Sequence, residues 1–172
     1  MKPFEISEEE NRPMQEKSVS ERNTFPKSAR LHHRTLVNAL FDKGQSLYVY
    51  PLRCVWRVLS SEELQSSFRD TVPQGIGPVQ LMITVPKKKR RHAVDRVRMR
   101  RLIREAFRQQ RHALTALVES HPDRRTLSIA TIYIAEKNET FATVNRKMGI
   151  LIKKLTAFLD NEKSDTSPGS KE

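Results

Sequence analysis

The feature that most constrains this chain is the stretch Pro86–Arg111, PKKKRRHAVDRVRMRRLIREAFRQQR, with twelve Lys/Arg against Asp95 and Glu105, a local charge of +10. At 3.6 residues per turn, Met99, Leu102, Ile103, Ala106, Phe107 and Leu114 fall on one apolar stripe. Such a stripe has to pack on something, and the apolar runs on either side of it supply a sheet. Arg96, Arg100, Arg104, Arg108 and Arg111 step along the same helix at intervals of four, four, four and three residues, roughly 100° around from the stripe. One side of this helix is core, and the adjoining side must meet water or a polyanion.

Stacked like charges at i, i+4 destabilise a helix by a few tenths of a kcal/mol per pair. A ladder of arginines therefore does not serve stability. Arginine is also the better phosphate ligand, because its planar guanidinium binds bidentately and stacks on bases. An ordinary charge run is a solvated face; the density, the regular spacing and the core-anchored stripe favour RNA or DNA contact here. Lys87–Arg91 precedes the helix as a basic pentamer that could pass for a nuclear localisation run. It joins two apolar-patterned elements instead of lying in a free tail, which favours a nucleic-acid role. Glu105, between Ile103 and Phe107, reads as a residue that orients neighbouring arginines.

The charge of the 172-residue chain is +12, unevenly spread. Residues 1–24 carry four basic and six acidic side chains, and residues 160–172 two basic and four acidic. The interval 25–159 therefore holds a surplus of +16. A compact domain with that surplus needs a polyanion, and nucleic acid is the usual one because each neutralised phosphate releases counterions. A membrane surface fits less well, since the core claims the apolar side of the basic helix and aromatics are few. No run of 18 apolar residues occurs, and the segment MKPFEISEEENR is too acidic for a signal or transit peptide. A cytoplasmic protein is expected. The single Cys54 excludes an internal disulfide and a Cys-rich zinc site, and the five histidines lack metal-motif spacing.

Along the chain, residues 1–24 read as a disordered extension, 25–159 as one domain and 160–172 as a flexible tail. A helix is predicted from about Ser28 to Lys43, with Leu31, Leu36, Leu40 and Phe41 recurring and Gly44 as its stop. Strands follow at Ser46–Tyr50 and Leu52–Leu59, split by Pro51. In the second, Cys54, Trp56 and Val58 share one face, with Arg53, Val55 and Arg57 on the other. Residues 60–78 read as a long connection broken by Pro73, Gly75, Gly77 and Pro78. A strand at Val79–Val85, the basic loop, and a helix from about Val94 to Val118 come next. Leu127–Ile134 is a buried strand. A last helix capped by Thr140 buries Phe141, Val144, Met148, Ile152, Leu155 and Leu159. The order α-β-β-β-α-β-α describes an α+β two-layer sandwich, a sheet of about four strands with helices mostly on one side.

Ala93-Val94-Asp95-Arg96-Val97-Arg98-Met99-Arg100-Arg101-Leu102-Ile103-Arg104-Glu105 resembles the helix motif of the bacterial ribonuclease P protein family. Upstream, Phe25-Pro26-Lys27-Ser28-Ala29-Arg30-Leu31 and Phe41-Asp42-Lys43-Gly44 follow the N-terminal pattern of that family in the same order. The resemblance covers roughly residues 25–159. Val97 stands where the motif has Asn, and Val37 where an aromatic is usual. The fold implied is that of ribonuclease P proteins, akin to the second domain of ribosomal protein S5.

The resemblance implies a protein with two RNA-binding surfaces and no catalytic residue of its own. Arg96, Arg98, Arg100, Arg101, Arg104 and Arg108 would dock on the catalytic ribonuclease P RNA. A cleft between the sheet and the first helix would hold the single-stranded 5′ leader of precursor tRNA. Phe41, Lys87, Lys88, Lys89, Arg90 and Arg91 would line it, although the pattern around Phe41 taken alone reads first as core. Lys27 and Arg30 would add N-terminal basic contacts. Endonucleolytic removal of the leader would take place in the RNA, with Mg2+ at the RNA active site and no cofactor, metal or protein partner required by this chain. A ribosomal or other structural RNA-binding protein is the alternative. A protein-only nuclease would need paired carboxylates, which the ten acidic residues of 25–159 do not suggest.

Overall fold

The computed structural model describes residues 24–69, 71–121, 123 and 126–164. Residues 1–23 of the expected N-terminal extension and the end of the expected tail (165–172) lie outside them. After a 3-10 turn at Lys27–Ala29 come α1 (Arg34–Lys43), β1 (Gln45–Val49), β2 (Leu52–Leu59), α2 (Ser61–Ser67) and β3 (Val79–Thr84). These are followed by α3 (Ala93–Gln110), α4 (His112–Glu119), β4 (Thr126–Tyr133) and α5 (Phe141–Ser164).

The four strands form one sheet in the order β1-β2-β4-β3. β2 pairs antiparallel with both β1 and β4, and β3 runs parallel to β4. A parallel neighbour cannot be reached by a hairpin, so the chain crosses over through the basic loop, α3 and α4 before returning as β4. β4 is the apolar run of the sequence, and its residues are buried on both faces.

Alternation along β2 sorts the core into two parts. Leu52, Cys54 and Trp56 face the larger part, with Leu127 and Ile129 of β4 and the buried stripes of α3, α4 and α5. Val55 and Leu59 face the smaller part, with Ala130 and with Leu36 and Leu40 of α1. Three helices thus cover one face as expected, while α1 covers part of the other. Five of the six residues of the predicted stripe are core: Met99, Ile103, Ala106 and Leu114 are 0% exposed and Phe107 is 1%, while Leu102 packs half-buried against them.

Local departures have local causes. Residues 30–31 are extended instead of helical, because Leu31 N–H donates to Leu81 O across 3.0 Å and Arg30 bridges Leu81 at the β3 edge. α1 therefore begins only at Arg34. Within 60–78 lies a short helix, α2, started by a capping box in which Ser60 and Glu63 satisfy each other's backbone N–H. Leu64 and Phe68 of this segment pack on the smaller core. The predicted 94–118 helix is divided at Arg111, which ends α3 and starts α4. Thr140 Oγ1 accepts from Thr143 N–H at 3.3 Å, the expected cap of α5, which continues past Asp160 to Ser164. Gly44 ends α1 through close approach, not through a left-handed turn: a Cβ there would lie 2.1 Å from Leu40 O and 2.9 Å from a Val55 methyl.

Candidate nucleic-acid interface

α3 presents its basic side outward because its apolar side is claimed by the sheet and α5. Arg98, Arg100, Arg101 and Arg104 are exposed. The other arginines of the ladder, Arg96, Arg108 and Arg111, are partly buried, and the first two have partners within the chain. Arg96 Nη1 donates to the carbonyls of Arg90 (3.0 Å) and Arg91 (2.6 Å). Arg108 grips Glu105 with two hydrogen bonds, Nη2 to Oε1 at 2.5 Å and Nε to Oε2 at 2.8 Å. Gln109 Nε2 adds a third, at 2.8 Å. Hydrogen bonding from Arg108, then from Gln109, holds the Glu105 carboxyl down at about 2. Glu105 thus orients Arg108, as its position suggested.

The basic loop between β3 and α3 is divided in the same way. Lys87, Lys88 and Arg91 are exposed. Lys89 Nζ lies 3.1 Å from Glu136 Oε1, and Arg90 Nη2 lies 3.0 Å from Asp95 Oδ2. Arg90 Nη1 also donates to the Glu136 carbonyl, and Asn138 Nδ2 donates to Asp95 Oδ1 at 2.8 Å. The Asn138 hydrogen bond, assisted by the charge of Arg90, keeps the Asp95 carboxyl below its usual range. Lys89 and Arg90, both expected to face RNA, are engaged at least in part with the loop before α5.

On the opposite face of the sheet, Tyr48, Arg53, Ile132 and Thr84 stand in register across all four strands. Thr84 is the last residue of β3, so this row ends where the basic loop begins. The Arg53 guanidinium carbon lies 5.3 Å from the centroid of the Tyr48 ring, and Arg53 Nη2 donates to Ser46 Oγ at 3.3 Å. Phe41, on the helix packed over this face, is 49% exposed and is not a core residue; Tyr48 and Tyr50 are 58% and 62% exposed. The two tyrosines were not singled out in the sequence. Their signal was the alternation of a short strand beside Pro51, which has no meaning until the register is known.

The expected site residues therefore fall into two groups, the α3 arginines on one side of the sheet and Phe41 on the other, with the basic loop between. Lys27 and Arg30 are exposed along the β3 edge, and the Arg30 guanidinium lies 6.0 Å over Phe25. Phe25 in turn meets Phe107 edge-on at 6.3 Å, tying that edge to α3. Among the described residues, no three His, Cys, Asp or Glu side chains gather as a metal would require. Cys54 is fully buried, and burial pushes its thiol up to about 12. No helix among the described residues is long and apolar enough to cross a membrane.

The sequence profile of the Ribonuclease P family matches residues 25–156. The ribonuclease P protein component of Porphyromonas gingivalis is 34% identical over 122 residues, covering 71% of this chain and 79% of that protein. The structure of the Staphylococcus aureus RNase P protein matches with a TM-score of 0.50 at 20% identity, over 74% of this chain and 94% of that one. The RNase P protein from Thermotoga maritima matches with a TM-score of 0.50 at 22% identity, over 73% and 96%. These two share the fold. With the profile match spanning most of the described residues and a relative of that identity and coverage, the chain belongs to the bacterial ribonuclease P protein family.

Proposed function

We infer that this chain is the protein subunit of a ribonuclease P ribonucleoprotein, which binds the catalytic RNA and the 5′ leader of precursor tRNA. The observation that carries the reading is the exposure of Arg98, Arg100, Arg101 and Arg104 on a helix whose other side buries Met99, Ile103, Ala106 and Phe107. A core-anchored helix presents these guanidinium groups on one outer side, where they can neutralise a line of phosphates. Affinity then comes largely from counterion release and falls steeply with salt.

The other surface suits a single strand. Phe41, Tyr48 and Tyr50 offer exposed rings, and Lys87 and Lys88 offer unpaired charge at the rim. Stacking on rings combined with backbone attraction holds unpaired nucleotides with little regard to sequence. In this reading the phosphodiester is hydrolysed in the RNA, where Mg2+ activates water. The protein positions the leader and screens charge, acting in the cytoplasm with no metal or further protein of its own.

The test is cleavage of precursor tRNA at low magnesium by a bacterial ribonuclease P RNA, with and without this chain. Strong stimulation, with no cleavage by the protein alone, is the expected result. Tight binding to structured RNA without stimulation would instead favour a structural RNA-binding protein of the ribosomal kind.

A further inference from the structure

Two acidic residues lie within the most basic part of the molecule. Asp95 in the first turn of α3 and Glu136 in the loop before α5 both contact the basic loop, from different elements. The Arg90–Asp95 pair is well covered, with 12% and 26% of the two side chains exposed. Asn138 fixes the second Asp95 oxygen at 2.8 Å, and Arg96 closes the loop from below through the carbonyls of Arg90 and Arg91. The loop is thereby pinned at Arg90 and at its exit, while Lys87, Lys88 and Arg91 remain exposed.

We propose that Asp95 is a positioning residue for precursor-tRNA binding: through Arg90 and Asn138 it sets the basic loop so that Lys87 and Lys88 face the leader. The proposal rests on the leader-binding reading above. It has a sign that distinguishes it from general electrostatics. Removing a negative charge beside exposed lysines should strengthen attraction for any polyanion. A positioning carboxylate has the opposite effect, because its loss frees Arg90 and lets the loop move away from the bound strand. Ordering the loop in advance lowers the entropic cost of binding.

The experiment uses the full chain reconstituted with ribonuclease P RNA, comparing Asp95→Asn with the parent for affinity to precursor and mature tRNA. Affinity for precursor tRNA is expected to fall roughly three- to tenfold, in the range of a partly buried ion pair, with mature tRNA unchanged. Asn138→Ala, which removes the hydrogen bond at constant charge, should shift affinity in the same direction by less, and Asp95→Glu should restore part of the loss. A merely structural role would lower thermal stability without changing the precursor-to-mature ratio. Precursor binding by Asp95→Asn that equals or exceeds the parent would overturn the proposal. A Lys87→Ala/Lys88→Ala double variant serves as the control for the underlying reading. If it too leaves precursor affinity intact, the leader-binding loop and the proposal fall together; if it weakens precursor binding while Asp95→Asn does not, only the positioning role is lost.

Discussion

Arg53 and Tyr48 face each other across β2 and β1, with the guanidinium carbon 5.3 Å from the ring centroid, on the sheet face that α1 only partly covers. The guanidinium lies over the ring, and Tyr48 remains 58% exposed. An aromatic exposed in this way is available to stack on an unpaired base. Tyr48→Ala is therefore expected to weaken precursor-tRNA binding by about 1–3 kcal/mol, the usual worth of one base–aromatic stack. Mature tRNA, which lacks a leader, should bind as before. Equal losses for the two substrates in a filter-binding assay would exclude Tyr48 from the leader surface.

On the other face, Arg100 and Arg104 lie one turn apart, exposed, and have no role in the core. Arg100→Glu together with Arg104→Glu should reduce affinity for the RNA subunit about 100-fold or more, from two charge-assisted contacts. The slope of log affinity against log salt should become shallower by about two. The melting temperature should hardly change. Unchanged RNA affinity at physiological salt would remove α3 from the interface.

Phe107 is the buried aromatic of α3, 1% exposed in the larger core, with Phe25 packed edge-on against it. Phe107→Ala is expected to destabilise the domain by about 3–5 kcal/mol, combining lost burial with an unfilled cavity. Urea denaturation followed by circular dichroism measures this directly. RNA affinity should fall only in proportion to the unfolded fraction.

Gly44→Ala should also destabilise, by about 1–3 kcal/mol, because the new methyl meets a backbone oxygen that cannot move away. The Leu40 carbonyl would lie 2.1 Å from it. Since the backbone here is not left-handed and Asn carries the same Cβ, Asn offers no relief. Rescue of stability by Asn would contradict this account.

The Glu105 carboxyl titrates near 2 in the folded chain, against an ordinary value of 4.5, chiefly through Arg108. A depressed folded value means that the interaction contributes stability above pH 4.5 and loses it as pH falls toward 2. Glu105→Gln should thus lower the denaturation midpoint at pH 7, with the gap from the parent closing between pH 4.5 and 2. A gap that persists at pH 2 would point to packing instead of charge.

Which parts of this molecule could be read without coordinates follows from the range of the interactions involved. The α3 stripe, its ladder, the apolar β4 run and the α5 cap are set by spacing of 3.6 or 2 along a few adjacent residues, so the chain carries them locally. The capping box of Ser60 and Glu63 was equally local, but the four breakers that follow in 60–78 obscured it. Phe41 shows the limit of such reasoning. Its spacing suits a buried helix position, yet α1 turns Leu36 and Leu40 to the sheet and leaves Phe41 49% exposed.

What the linear chain left undecided was everything that depends on contacts between distant residues. The insertion of β4 between β2 and β3 is a non-local pairing, and with it comes the assignment of α1 and α3 to opposite sheet faces. Lys89 and Arg90 are drawn onto Glu136 and Asp95, the first of these partners more than forty residues away, and Arg96 turns back to the loop carbonyls. Tyr48 meets Arg53 only because the turn at Pro51 fixes the register. The sequence alone determined that a basic, core-anchored helix would exist and that it would seek a polyanion, because period and charge are properties of neighbours along the chain. Tertiary structure decided which of its charges remain free to bind one, because an ion pair depends on distances that only the folded packing sets.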